Sequence, residues 1–184
     1  DGAMRNAKGL TIIEILVVVV IIGIVSYGVV PVAEISFIRF KEGELQQSLQ
    51  NIRSAISRWR RDCELAARRA PGVDVFKIPD CRLYPPSIAS LTKAQPFTIY
   101  DDAGLATATF YPRPYLEKID LDPFVGSPMW FQWYASGTVE VSTYSTGIVT
   151  PGEGIGVYDV SPHSDPVVRR GFVTALDGTS YADW

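Results

Sequence analysis

The feature that most constrains this chain is a run of apolar residues near its N-terminus. Residues 15–33 contain no charged side chain, and a helix of that length can cross a bilayer. Glu14 lies at the start of the run and Pro31 near its end. A carboxylate that enters hydrocarbon costs about 2.5–3.5 kcal/mol on insertion scales, so Glu14 is a functional candidate. The alternative is that the Glu14 carboxylate is placed there only because the positive end of the helix dipole stabilises it.

The charges that flank the run predict its orientation. Arg5 and Lys8 precede it, whereas charges of both signs follow it. The positive-inside bias places the N-terminus in the cytoplasm and the chain after about residue 38 outside. The chain of 184 residues leaves enough sequence for one modest domain with a single core. Its net charge of −3 gives no indication of nucleic-acid binding.

Beyond the membrane run, the sequence predicts that the helix continues as an amphipathic helix. Apolar side chains recur there at spacings of three and four, which form one helical face. They are Leu45, Leu49, Ile52, Ile56, Trp59, Cys63 and Ala66. Arg68 and Arg69 suit the negative end of a helix, and Pro71 followed by Gly72 stops it. We therefore predict one long helix over residues 11–70, whose apolar face packs against a small domain.

The second half of the chain predicts a small antiparallel sheet. Prolines punctuate residues 71–128, which we interpret as a connection with short helical turns, such as residues 87–93, rather than a sheet. Strands are predicted at residues 129–134, 138–145 and 155–160. A turn at Ser136 and Gly137 would join the first two into a hairpin that covers the helix around Trp59. The predicted fold class is α+β, with a long N-terminal helix packed against this sheet.

The two cysteines, Cys63 and Cys81, lack the partners of a zinc site, because the chain has one histidine, His163, far away in sequence. An external location permits a disulfide between them, which is the interpretation that we favour. The alternative is two unpaired buried thiols.

The start of the apolar run resembles the processing motif of type IV pilins and type II secretion pseudopilins. In that superfamily a prepilin peptidase cleaves after a glycine, the new first residue is usually Phe, and the fifth is Glu. Here Gly9 matches the cleavage site, Leu10 replaces Phe, Glu14 matches the fifth position, and Pro31 matches the helix-breaking proline. The resemblance implies a leader over residues 1–9. Residues 1–3 have no role in the motif, and we expect the natural leader to begin with the methionine after them.

The same resemblance implies a type IV pilin-like fold and an architecture for the mature chain. Residues 10–38 would be the transmembrane assembly helix, and residues 39–184 a periplasmic head that includes the amphipathic half of the helix. Assembly would depend on five residues of the first segment, which are Leu10, Glu14, Gly23, Gly28 and Pro31. The Glu14 carboxylate would pair with the methylated α-amine of Leu10 on a neighbouring subunit, and the helix would unwind between the glycines and the proline.

Two further segments resemble the major pseudopilin of type II secretion. Residues 83–91 are similar to its tyrosine-proline segment, and residues 115–134 to its Asp-Pro segment before the first strand, with Asp122, Pro123, Gly126 and Pro128 matching. That family binds calcium in its C-terminal loop. The corresponding tail here offers Asp177 and Asp183 as candidate calcium ligands, although ordinary surface acids are the alternative because no dense acidic cluster is present.

These observations favour a structural subunit over an enzyme. The sequence shows no nucleophile elbow, phosphate loop or metal-ligand cluster from which a catalytic site could be assembled. A homo-oligomeric helical filament of the type II secretion pseudopilus is our first interpretation. Its implied partners are prepilin peptidase, other pseudopilins, and an inner-membrane platform with its ATPase. A type IV pilus subunit is the alternative. A simple membrane anchor would leave Glu14 unexplained.

Overall fold

The computed structural model describes residues 10–136, 139–143 and 156–184. One helix, α1, spans Ile12–Arg69 and contains 58 residues. The chain divides into two compact units, of which the second is Lys41–Trp184. The prediction of one long helix is confirmed, and its ends lie within one residue of the predicted ones.

The first unit contains the apolar part of α1. Thr11 caps the helix, since its Oγ1 accepts a hydrogen bond from the Glu14 amide at 3.3 Å. The large apolar side chains between residues 10 and 40 that the structure describes are mostly exposed, for example Ile12 at 87% and Ile24 at 71%. This part of α1 is long and apolar enough to cross a membrane.

The second unit is built around the amphipathic part of α1. Its predicted apolar face is buried from Leu45 to Cys63, and Trp59 is 2% exposed. Near the end of the helix the face shifts by one residue, because Ala67 is fully buried whereas Ala66 is half-buried. The helical period of 3.6 residues, which three-four spacing only approximates, accounts for this shift.

The connecting region after α1 contains three short 3₁₀ helices, Val75–Lys77, Asp80–Leu83 and Ile88–Thr92. The third lies inside the turn predicted at residues 87–93, which confirms that prediction.

The prediction that residues 71–128 form no sheet is wrong. Strands β1 (Phe97–Tyr100) and β2 (Ala106–Phe110) pair as an antiparallel hairpin. The prolines that suggested a loop lie on either side of this hairpin, at Pro96 and Pro112, and none lies within it. Gly104 adopts a φ of 79° in the connecting turn, a conformation that suits glycine.

The main sheet has three antiparallel strands in the order β4-β3-β5. They are β3 (Trp130–Ser136), β4 (Val139–Thr143) and β5 (Gly156–Pro162). All three predicted strands are confirmed, and so is the pairing of the first two. Part of the predicted turn, Gly137, lies outside the described residues.

Two of the three rings around Trp59 come from the hairpin that the sequence analysis missed. Phe97 and Phe110 contact the indole edge-on at centroid distances of 5.9 and 5.3 Å, and Tyr115 lies at 5.9 Å. Trp130 and Tyr134 of the main sheet belong to the same buried cluster. Both sheets therefore share one core with the amphipathic part of α1.

Candidate functional site

The predicted assembly residues lie on the exposed part of α1. Glu14 is in the first turn of the helix, where the positive end of the helix dipole stabilises its carboxylate. Thr11 and Glu14 have the spacing of a capping box, and the bond from the Glu14 amide to the Thr11 side chain is present. This local role is compatible with a second role for the carboxylate, because the capping bond uses the backbone of Glu14.

Three of the other assembly residues, Leu10, Gly23 and Gly28, lie at open positions. Leu10 is 73% exposed, and beyond the adjacent residues and the helix's own backbone no atom lies within 4 Å of where a Cβ would project from Gly23 or Gly28. In this structure α1 continues through Pro31. The unwinding of the helix between the glycines and the proline was predicted for the assembled filament, and it stays a prediction. Gly9 lies outside the described residues, and cleavage after it also stays a prediction.

The exposed apolar surface determines what this segment can do. Burial of apolar surface contributes about 25 cal/mol per Å², so a helix with this much exposed aliphatic area is unfavourable in water. Lipid or other apolar helices must cover it. The chemistry of this site is therefore association rather than catalysis.

Cys63 and Cys81 are both buried, and the structure contains them as free cysteines. Burial raises the pKa of the Cys63 thiol to about 12. An ion pair joins the two segments that carry them, because Arg60 bonds both carboxylate oxygens of Asp80 at 2.9 and 2.8 Å. Arg60 lies one helical turn before Cys63, and Asp80 precedes Cys81 directly. The disulfide stays a prediction.

A buried ion pair, Asp122 with Arg169, was missed by the sequence analysis. Both side chains are fully buried, and Arg169 Nη1 lies 2.7 Å from Asp122 Oδ2. Asp122 also organises the loop that begins with it, since its Oδ1 accepts a bond from the Phe124 amide at 2.9 Å. The Asp-Pro segment was noticed as a resemblance, but no sequence signal linked it to an arginine 47 residues away.

Arg169 holds the C-terminal tail in the core of the second unit. Its Nε donates to the Phe172 carbonyl at 2.6 Å, and its guanidinium lies over the rings of Phe124 and Tyr181 at 5.2 and 4.7 Å. Tyr181 in turn donates its hydroxyl to Glu42 on α1 at 2.8 Å. Burial and this bond to the Glu42 carboxylate raise the pKa of Tyr181. The Arg169 guanidinium therefore fixes the position of the C-terminal tail.

The candidate calcium ligands line one shallow open groove beside Gln46 and Arg53. Asp177 Oδ1 accepts two hydrogen bonds from Thr179, from the amide at 2.9 Å and the hydroxyl at 2.7 Å, and these bonds lower the pKa of Asp177. Asp183 is exposed. Among the described residues, no three His, Cys, Asp or Glu side chains are grouped closely enough to hold a metal ion. The calcium site stays a prediction.

Comparison with known proteins yields one match. The family model described as the prokaryotic N-terminal methylation motif matches residues 4–29. The matched range contains Gly9, Leu10 and Glu14, and it supports the pilin superfamily and processing by a prepilin peptidase. Neither the curated proteins nor the solved structures give a match to this chain.

Proposed function

We propose that this chain, whose N-terminal motif indicates a pilin-like filament subunit, is a structural subunit of a type II secretion pseudopilus. Processed subunits would wait in the inner membrane with their heads in the periplasm. A cytoplasmic ATPase, acting through a membrane platform, would lift each one into a growing filament that drives folded proteins through an outer-membrane channel.

The observation that carries the proposal is the exposed apolar helix with an acid in its first turn. Large aliphatic side chains from Ile12 to Val25 are exposed by about half or more. Each buried CH₂ contributes about 0.8 kcal/mol, so a subunit leaves lipid only if other helices replace it. A bundle of identical helices provides that replacement, and this requirement leads to a homo-oligomer.

A type IV pilus subunit is the second candidate, because both kinds of filament use the matched motif. Two features favour the pseudopilus. Many type IV pilins close their C-terminal segment with a disulfide, whereas Cys63 and Cys81 would join the end of α1 to the next loop. The tyrosine-proline and Asp-Pro segments also resemble the major pseudopilin. Deletion of the gene in its host tests the choice, since loss of secretion with intact piliation supports the pseudopilus.

The Glu14 carboxylate provides the sharpest test of assembly. Its proposed partner is the α-amine of Leu10 on a neighbouring subunit, and the pair would fix the axial register of helices that are otherwise free to slide. Desolvation of both charges offsets their attraction, so the contribution is to specificity rather than net stability. We expect Glu14→Val subunits to insert, to be cleaved after Gly9 and to fold, but to be absent from filaments.

Glu14→Gln is the matched control, because it keeps the size of the side chain and the backbone bond to Thr11 while it removes the charge. We expect Glu14→Gln to fail in assembly as Glu14→Val does. Mass spectrometry should find Leu10 at the N-terminus of all three proteins, and sheared-filament assays should measure assembly. Normal filaments from either variant at wild-type levels would leave Glu14 with its capping and dipole role alone.

A further inference from the structure

Two exposed surfaces of the second unit are complementary in charge and in apolar character. The first, the arginine stripe, consists of Arg58, Arg61, Leu65 and Arg69 on the solvent side of α1. Their spacings of three and four place them on one helical face. Leu65 is 43% exposed between the arginines.

The arginine stripe carries charge that no acid among the described residues pairs with. Among the described residues, Arg58 donates only to carbonyl oxygens, those of Ser54 and Tyr115. Within the described part of the chain, Arg61 and Arg69 have neither a hydrogen bond nor an ion pair. Two acids lie beside the stripe in sequence and both are engaged: Asp62 accepts the Tyr115 hydroxyl at 2.8 Å and lies 3.9 Å from Arg113, and Glu64 pairs with Arg68 at 2.7 Å.

The second surface, the acidic tip, consists of Phe76, Lys77 and residues 101–105. The Asp102 amide donates to the Lys77 carbonyl at 2.9 Å, and this bond brings the turn between β1 and β2 beside the 3₁₀ helix Val75–Lys77. Phe76 is 96% exposed and Leu105 66%. Because this backbone bond joins the two segments, Phe76 and Leu105 form one exposed apolar patch, and such patches mark interaction surfaces.

The acidic tip has the opposite charge to the stripe. Asp101 and Asp102 lie in the turn, and Asp74 precedes the 3₁₀ helix, so three acids outnumber the two cations there, Lys77 and the Arg82 that bonds the Asp101 carbonyl. The Asp101 carboxylate accepts the Leu105 amide at 2.8 Å, whereas that of Asp102 has no partner in the part of the chain described. Acids around two exposed apolar side chains match arginines around an exposed leucine.

The two surfaces lie on different flanks of α1. On one flank, Arg60 bonds Asp80, which lies in a short 3₁₀ helix. Arg82 of the same 3₁₀ helix bonds the Asp101 carbonyl, so the flank of α1 that carries Arg60 is the one beside the acidic tip. Arg58 reaches Tyr115 on the other flank. Residues two apart on a helix are separated by about 160° around its axis. One head can therefore present the stripe to one neighbour and the tip to another.

We propose that the acidic tip of one copy of this chain binds the arginine stripe of the next copy. The contact joins two different surfaces, and such a heterologous contact repeats along an open helical assembly rather than closing into a dimer. The inference rests on the proposed filament function and names the surfaces through which its heads meet. Phe76 and Leu105 pack on Leu65, while Asp102 faces Arg61.

Cysteine crosslinking of the full-length chain in its host tests the pairing. Two tagged variants, Phe76→Cys and Leu65→Cys, are co-expressed and oxidised. We expect an adduct that joins the two tags, and about tenfold less adduct when either variant is expressed alone. The buried Cys63 and Cys81 are present in every sample and so serve as an internal background. Filaments that contain both variants without the mixed adduct would overturn the pairing, as would an adduct of Phe76→Cys with a different protein only.

Charge exchange separates this inference from the proposed function. Arg61→Glu and Asp102→Arg should each lower the amount of assembled subunit about tenfold, since like charges then face each other, and the double variant should recover to within about threefold of wild type. Lys93→Glu and Glu44→Arg, which change exposed charges elsewhere, should assemble normally. Single variants that assemble like wild type would overturn the head contact and leave the filament intact. A wild-type chain whose amount in polymer equals that of Glu14→Val would overturn both.

Discussion

At the scale of single residues, the most consequential contact is the fully buried pair of Asp122 and Arg169. A buried ion pair adds little net stability when both partners are present, but loss of one partner leaves the other charge without compensation. Arg169 is also held by the Phe172 carbonyl and two aromatic rings, while one of its nitrogens, Nη2, has no hydrogen-bond partner among the residues that the structure describes. The position of the tail therefore depends on Asp122.

We expect Asp122→Asn to lower the free energy of unfolding of the second unit by about 3–5 kcal/mol, because it leaves the buried charge of the Arg169 guanidinium without a counter-charge. The double variant Asp122→Leu with Arg169→Met should lose less than the sum of the two single variants, since no buried charge remains. Urea unfolding of the detergent-solubilised chain, followed by tryptophan fluorescence, measures each value. Strict additivity would mean that the pair is not coupled.

The Cys63 thiol gives a pH dependence that reports its oxidation state. Its pKa rises from an ordinary 9.0 to about 12 because burial disfavours the thiolate. The unfolded chain then loses this proton at lower pH than the folded chain, so the stabilisation is complete below pH 9 and is lost between pH 9 and about 12. A disulfide has no such proton.

We therefore expect the reduced chain to lose stability more steeply above pH 9 than the oxidised chain, in which Cys63 and Cys81 are joined. The disulfide should also add roughly 3 kcal/mol at neutral pH on the loop-entropy estimate. Thiol labelling of the unfolded, unreduced protein from the periplasm assigns the oxidation state, and two labelled cysteines would contradict the disulfide. The three tyrosines with raised pKa values, Tyr115, Tyr134 and Tyr181, titrate in both forms and so cancel in the comparison.

At the scale of elements, strand β5 packs so closely that its first residue must be glycine. A Cβ on Gly156 would lie 2.5 Å from the Cβ of Tyr84 and 2.7 Å from the Cys81 carbonyl oxygen. The next residue, Val157, donates its amide to the Pro85 carbonyl at 2.8 Å. The strand therefore docks on the connecting region through backbone contacts.

Two glycine substitutions should have opposite effects on stability. Gly156→Ala should destabilise the second unit by about 1–3 kcal/mol, because neither Tyr84 Cβ nor the Cys81 carbonyl can move without the backbone. Gly43 lies in α1, and beyond the adjacent residues and the helix's own backbone no atom lies within 4 Å of a new Cβ, so Gly43→Ala should stabilise the helix by up to about 1 kcal/mol. Thermal unfolding followed by circular dichroism compares the two, and equal melting temperatures would contradict the packing argument.

Prediction from the sequence succeeded where a local period determines the structure. The apolar face around Trp59 and the aromatic-rich run that forms β3 are local patterns, and each appears at the predicted place. Prediction failed at β1 and β2, because the flanking prolines outweighed four- and five-residue strands. It also missed Arg169, whose partner is distant in sequence and whose burial depends on the whole tail.

At the scale of the whole molecule, contacts between protein groups attach the C-terminal tail to the rest of the second unit. Arg169 connects it to Asp122, and Glu42 accepts bonds from the Leu176 amide and the Tyr181 hydroxyl at 2.9 and 2.8 Å. The Asp177 carboxylate is occupied by Thr179 in its own turn. These contacts supply the restraint that a calcium ion would otherwise provide.

We accordingly expect the melting temperature of the detergent-solubilised chain to be the same with calcium and with a chelator. Asp177→Asn should not change this result, because the carboxylate serves only the local turn. Differential scanning calorimetry in both conditions measures the effect. A calcium-dependent rise that Asp177→Asn or Asp183→Asn abolishes would establish the ion site instead.

The cap formed by Thr11 has a consequence for the processed chain. Cleavage after Gly9 would leave the helix starting at its third residue, with the α-amine of Leu10 beside the positive end of the dipole. Methylation keeps that amine charged, so the charge of the amine would add to the partial positive charge of the helix dipole at the same terminus. The Glu14 carboxylate of the same chain would compensate only part of this total. Each free subunit would then be electrostatically frustrated at its first turn. Contact with the Glu14 carboxylate of a neighbouring subunit would neutralise the remaining positive charge. Cleavage itself would therefore make association with another subunit favourable.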